Sequence, residues 1–181
     1  MEANIRARFY DGIQAPLSWS PTTGGKRAFI CFTDHLIADL GPDPDGTRFV
    51  VISQRMMNGD YYPPDAVQFY GLFRDERRTI EAGERIQQRA PMFAGLFAWS
   101  MVEIYIADLR EDFCQIGYVT TEKHHGRGIW TATLTRTDGK LSLTVESIAS
   151  PHSFLFWVGL PIARFLQLRA RRRAIEEFRK L

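Results

Sequence analysis

The sequence predicts an α+β fold in which a curved antiparallel sheet grips a long C-terminal helix. Three observations predict it. The second half of the chain alternates apolar and polar residues over short segments, the period of a half-buried strand. Tight-turn signals separate those segments, above all Asp138-Gly139, a pair suited to a type I′ hairpin. From about residue 154 to the end the apolar residues recur every three or four positions instead, the period of an amphipathic helix.

The elements follow in order. The first 48 residues are irregular in character, with Pro16, Pro21, Gly24 and Gly25 clustered as turn residues. "AFICFTDHLIADLG" suits either a short helix closed by Gly41 or a strand followed by a helix. "GPDPDG" is a break; Thr47 to Met56 reads as a strand, and "NGDYYPPD" as another loop. Asp65 suits the cap of a helix through "AVQFYGLFRDERRTIEAGE", where Val67, Tyr70, Phe73 and Arg74 share one face. Strands then follow at 101–108, 114–122, 129–136 and 140–149. In the first, Val102, Ile104 and Ile106 oppose Glu103 and Tyr105; in the last two, Trp130, Ala132 and Leu134 share a face, as do Leu141, Leu143 and Val145. Four strands joined by tight turns make a meander, which "ASPHSF" breaks. In the closing helix Val158, Ile162, Phe165, Leu168, Ile175 and Phe178 form the apolar stripe. A curved sheet needs its concave face covered, and such a helix can cover it. This is the helix-grip arrangement, which commonly keeps a cavity between helix and sheet. The organisation expected is one domain over residues 1–181, with residues 1–48 as an N-terminal elaboration.

Composition narrows the function. At 181 residues the chain suits one domain with a sizeable core. Thirteen Phe, four Trp and six Tyr fit a large core or a lined cavity. A net charge of +2 gives no general attraction to nucleic acid, so no nucleic-acid partner is expected. Cys31 and Cys114 are too few for a disulfide framework. "MEANIRARFYDG" lacks the apolar stretch of a signal peptide, and the apolar run 154–163 is half the length of a spanning helix. A soluble, cytoplasmic protein is the expectation.

The spacing Tyr118-x-Thr120-x-x-x-His124-x-x-x-Gly128 resembles the pattern of uncharacterised protein family 0548, together with "GERIQQR", Pro151 and "LPIARFLQ", over about residues 83–181. Members of that family carry two acidic residues after the glycine, where this chain has Ile129 and Trp130. The family is grouped with START-like proteins of the birch-pollen-allergen type. The resemblance implies a helix-grip fold with a cavity for a hydrophobic ligand, and no particular activity.

Within "GYVTTEKHHGRGIW" (117–130), adjacent His124 and His125 point to opposite sides of a strand end. Glu122 adds only one further ligand on the His124 side, an incomplete set for a metal, so neither metal nor cofactor is expected. "TTGGKR" lacks phosphate-loop spacing, and "DPDG" lacks the later ligands of a calcium loop. The leading expectation is a binding protein for a small hydrophobic molecule held between sheet and helix. Trp99, Tyr105, Thr120, Trp130, Phe154, Trp157 and Phe165 are its candidate ligand-binding residues, each equally eligible as core. The alternative is a cyclase, dehydratase or isomerase acting on a hydrophobic carbonyl-containing, polyketide- or lipid-like substrate. Its candidate catalytic residues are Glu103 as acid, Tyr118 as donor and His124 as base. That alternative requires the polar strand face to line the cavity, whereas half-wet sheets normally turn such a face to water. A third class, a surface module, rests on the arginine-rich C-terminal helix and its scope for weak contact with an anionic surface. Its i,i+4 pairs Arg172–Glu176 and Arg173–Glu177 give the same run a plain role as a solvated face.

Overall fold

Alternation in the second half of the chain becomes strand, as predicted, and three more strands join it. The computed structural model describes residues 2–24, 31–92, 95–151 and 160–181. Its strands are β1 (Phe32–Pro42), β2 (Gln68–Tyr70), β3 (Arg85–Pro91), β4 (Phe97–Arg110), β5 (Phe113–Thr120), β6 (Gly126–Thr137) and β7 (Lys140–Pro151). They form one antiparallel sheet in the order β1-β7-β6-β5-β4-β3-β2. The helices are α1 (Glu2–Gly12), α2 (Thr47–Met57), α3 (Leu72–Glu76) and α4 (Leu160–Lys180). The fold is α+β of the helix-grip type. No described helix is long and apolar enough to cross a membrane.

Register sets the concave face. Leu134 sits between Leu143 and Cys114, Ala132 between Val145 and Ile116, and Trp130 between Ser147 and Tyr118. These rows are buried with Phe49, Ile52 and Met56 of α2 and Ala174, Ile175 and Phe178 of α4 in one core. Burying one such side chain is worth about 1.5–3 kcal/mol, so this face dominates the stability. The β6–β7 turn has Asp138 at φ +52° and Gly139 at φ +67°, both left-handed as a type I′ turn requires.

Four expectations need correction. Residues 47–57 are helix, not strand. Phe49, Ile52, Ser53, Met56 and Met57 are its buried residues, at helical spacing, while Val50 and Val51 stay exposed. "DPDG" is the start of that helix: Asp43 accepts the N–H groups of Arg48 (3.0 Å) and Phe49 (2.9 Å), and Asp45 that of Thr47 (3.0 Å). The helix expected over 66–84 is instead β2 and the short α3, separated by Gly71. The ambiguous "FTDHLIADL" is strand throughout, and the irregular N-terminus contains α1. There Ile5 and Phe9 pack on Tyr70 and Met101, covering the convex face.

The stripe of α4 is also turned. Ala170, Ala174, Ile175 and Phe178 face inward, whereas Ile162 and Phe165 are exposed and Val158 lies outside the described residues. Two side chains then tie the edge strand β1 to the helices. Arg48 donates to the carbonyls of Pro42 (2.8 Å), Leu40 (2.9 Å) and Phe178 (3.2 Å), and Arg179 to that of Asp39 (3.0 Å).

Candidate functional site

Between the concave face and residues 163–173 of α4 lies a cavity of ≈ 530 Å³, within the range of small-molecule sites. Its floor is aromatic. Tyr118 and Trp130, paired across β5 and β6, stack at 5.1 Å with an interplanar angle of 20°. Tyr62 lies 6.2 Å from Trp130. Tyr61 sits behind, edge-on to Trp130 at 5.0 Å and to Tyr62 at 4.7 Å. Burial pushes the Tyr118 phenol up to about 12, against an opposing hydrogen bond from Gln88. Burial likewise raises Tyr62 well above the ordinary phenol value, with the Tyr118 and Tyr61 phenols adding to it. At neutral pH both are therefore uncharged hydroxyls.

One wall is held by charge. Asp34 stands opposite Ser147 in the β1–β7 register. It accepts a hydrogen bond from Ser147 Oγ at 3.1 Å and a two-pronged pair from Arg164 of α4, one arm at 2.6 Å. Arg171 adds a third cationic contact at 3.8 Å. The Arg164 hydrogen bonds are the main reason that Asp34 is held below the usual carboxylate range. At the rim, Arg173 pairs with Asp65 at 2.8 Å and Arg127 with Glu122 at 3.4 Å, while Arg169 also lines the opening.

The β5–β6 loop closes one end. Thr120 Oγ1 accepts the Gly128 N–H at 2.8 Å and shares a hydrogen bond with Ser18 Oγ at 2.8 Å. His124 Nδ1 lies 2.8 Å from the Gly126 carbonyl oxygen and 3.0 Å from the Gly126 nitrogen, so the ring folds back on its own turn. A Cβ on Gly128 would stand 1.8 Å from the Ile148 carbonyl oxygen, which means that β6 and β7 pass one another here with no space for a side chain. Among the described residues no group of three or more His, Cys, Asp or Glu could hold a metal ion. Burial pushes the Cys114 thiol up to about 12, which leaves it protonated and inert.

Of the residues singled out from the sequence, Tyr118, Thr120, His124 and Trp130 line the cavity. Glu103 does not join them. It lies opposite Val119 on the convex face, paired with Arg85 at 3.0 Å. Tyr105 is on that face too, bonded to Thr131, and Trp99 packs at the margin of the α1 cluster. Phe165 is 60% exposed on the far side of α4. Phe154 and Trp157 lie outside the described residues. The cause of the split is a one-residue bulge. From Arg110↔Phe113 to Ile106↔Gly117 the strands keep one register; beyond Tyr105 it shifts, so that Ile104 and not Tyr105 faces Tyr118. Missed altogether were Tyr62, Gln88 and Ser100, which long-range pairing and loop placement bring to the cavity, and Asp34, which does not line it but holds Ser147 and Arg164 that do.

Tyr61 yields a prediction here. Its hydroxyl is buried with no hydrogen-bond partner among the described residues, a loss that a polar group normally feels. Tyr61→Phe should raise the Tm of the ligand-free protein by about 2–4 °C in a thermal melt; a fall would show the hydroxyl to be satisfied.

A domain-family model described as "Domain of unknown function (DUF1990)" matches residues 34–177, most of the chain and all seven strands except the first two residues of β1. The chain belongs to the DUF1990 family. No curated protein matches. Solved structures do resemble this DUF1990 domain. The KanY protein (ms6282) matches at TM-score 0.55 and 7% identity, covering 84% of this chain and 97% of its own. Hypothetical protein jhp0584 from Helicobacter pylori matches at TM-score 0.52 and 12% identity, covering 90% and 93%. Ara h 8.0201 matches at TM-score 0.50 and 12% identity, covering 83% and 98%. At such identities the likeness concerns the fold of the DUF1990 domain alone.

Proposed function

We propose that the protein binds a small hydrophobic ligand between its sheet and α4. The observation that carries this reading is the ≈ 530 Å³ cavity, with Tyr62, Tyr118 and Trp130 on its floor and Ala163, Leu166 and Ala170 on its helical wall. A core packed only for stability would fill such a space with side chains. The reading takes residues 1–181 as a single START-like domain working in the cytoplasm, of the kind grouped as uncharacterised protein family 0548. It is preferred to the acid–base alternative because Glu103 faces away from the cavity and is engaged by Arg85. It is preferred to an anionic-surface module because Arg164, Arg171, Arg173, Arg179 and Lys180 all have partners within the chain.

Native mass spectrometry of the purified protein, set against the denatured and extracted sample, tests it. A small organic mass carried by the folded protein and released on denaturation is the expected result. A clean apo mass, joined to failure to bind the fluorophore 1-anilinonaphthalene-8-sulfonate, would overturn the reading.

A further inference from the structure

The two halves of α4 are held in different ways. Its buried side chains are Ala170, Ala174, Ile175 and Phe178, all in the C-terminal half, and none of residues 161–169 is buried. Ala163, Leu166 and Gln167 border the cavity, while Ile162 and Phe165 are exposed on the other side. A helical segment that buries no side chain fully has little packing to hold it down. What holds this one is polar. Arg164 donates from Nη1 to Asp34 Oδ2 at 2.6 Å and to Gln167 Oε1 at 3.0 Å, and from Nη2 to Asp34 Oδ1. Asp34 is itself steadied on β1 by Ser147 Oγ at 3.1 Å. Arg171 and Arg173, which pair with Asp34 and Asp65, stand beside Ala170 and Ala174 in the packed half. Among the described residues, the ion pair that restrains 161–169 is therefore Arg164–Asp34.

We infer that residues 161–169 are a lid over the cavity, pivoting on the packed half of α4, and that the Arg164–Asp34 pair is the clasp that keeps it shut. This goes beyond the binding reading above and rests on it. Lifting the lid breaks a few hydrogen bonds and leaves the core intact, so it is a local opening that lies well below unfolding. The clasp is 14% exposed on the Asp34 side and 22% on the Arg164 side, which makes it stronger than a surface pair. Such a lid sets how fast a ligand exchanges without deciding how tightly it is held.

The test is stopped-flow fluorescence with N-phenyl-1-naphthylamine, a probe without charge, so that removing a cation does not change its attraction to the mouth. Arg164→Gln should speed association and dissociation alike, by about tenfold. The Kd should stay within about twofold of the wild type, because the closed state is weakened equally with and without the probe. Arg164→Lys keeps the charge but loses the two-pronged geometry, and its rates should fall between the two. Arg172→Gln removes an exposed cation from the same helix and should match the wild type. Thermal melts establish that the variants are folded; if Arg164→Gln is not, Arg164→Lys decides. Unchanged rates would overturn the lid. So would faster dissociation matched by an equally weaker Kd, which would make Arg164 a ligand contact and not a clasp. Both results leave the binding reading intact, whereas a wild type that takes up no probe would sink that reading and the lid with it.

Discussion

Gly128→Ala should cost at least about 3 kcal/mol of folding stability, the upper end of what overpacking normally does. The added methyl would meet the Ile148 carbonyl oxygen at 1.8 Å and the Ala149 Cα at 3.0 Å, both backbone atoms of the neighbouring strand. No rotamer change relieves such a contact, so β6 and β7 have to part at the end of the sheet that borders the cavity. The same movement pulls on the Gly128 N–H that Thr120 Oγ1 holds. Gly117→Ala is the natural comparison. There the methyl would meet the Tyr105 ring at 2.6 Å and the Trp130 carbonyl oxygen at 3.0 Å. A side chain on the convex face can swing aside more cheaply than a strand can move. Urea unfolding of both variants checks the order. Gly128→Ala should have much the lower midpoint, and a midpoint near that of the wild type would show the strands to be more yielding than their spacing implies.

Asp34→Asn should be the most damaging change among the charged residues, at about 3 kcal/mol. The carboxylate is 14% exposed and faces two guanidinium groups, Arg164 and Arg171, themselves 22% and 15% exposed. The amide keeps the shape but leaves both cations without their counter-charge, which is the costly half of breaking a buried pair. The pH dependence gives a second readout. Because the folded-state pKa of Asp34 lies below the ordinary value of 3.8, the unfolded chain takes up its proton first as acid is added. The stabilisation is therefore complete above about pH 3.8 and is lost as pH falls through the lower folded-state value. Asp34→Asn should be destabilised at neutral pH and converge on the wild type in acid. A constant gap across that range would locate the effect in packing, not charge.

The sheet's four central and following strands were legible because each signal was local. Alternation in 101–108 and 140–149 and the Asp138-Gly139 turn need no knowledge of the rest of the chain. What went unread depended on partners distant in sequence. β3 carries Gln87, Gln88 and Arg89, polar residues that are buried because α1 covers one face of its sheet and the cavity adjoins the other. The strand reading of 47–56 was led astray by Val50, Val51 and Ile52, although Phe49, Ile52 and Met56 already showed helical spacing. The candidate site divides in the same way. Tyr118, Thr120, His124 and Trp130 come from one contiguous stretch and reach the cavity together. Glu103 was assigned to the same group by alternation, which an unbulged hairpin would have honoured. The extra residue at Tyr105 reversed every assignment beyond it.

The guanidinium groups of Arg48 and Arg179 bear on how copies of the protein behave at high concentration. β1 is eleven residues long and ends the sheet, the geometry that invites another chain to add its own strand and start a growing assembly. The carbonyls of Asp39, Leu40 and Pro42 already have donors from these two arginines. A newcomer would have to displace charged, multiply bonded side chains to gain ordinary ladder bonds, and would uncover the Phe178 carbonyl in doing so. The C-terminal end of β1 is thus sealed against edge-to-edge polymerisation by the same residues that fasten it to the helices.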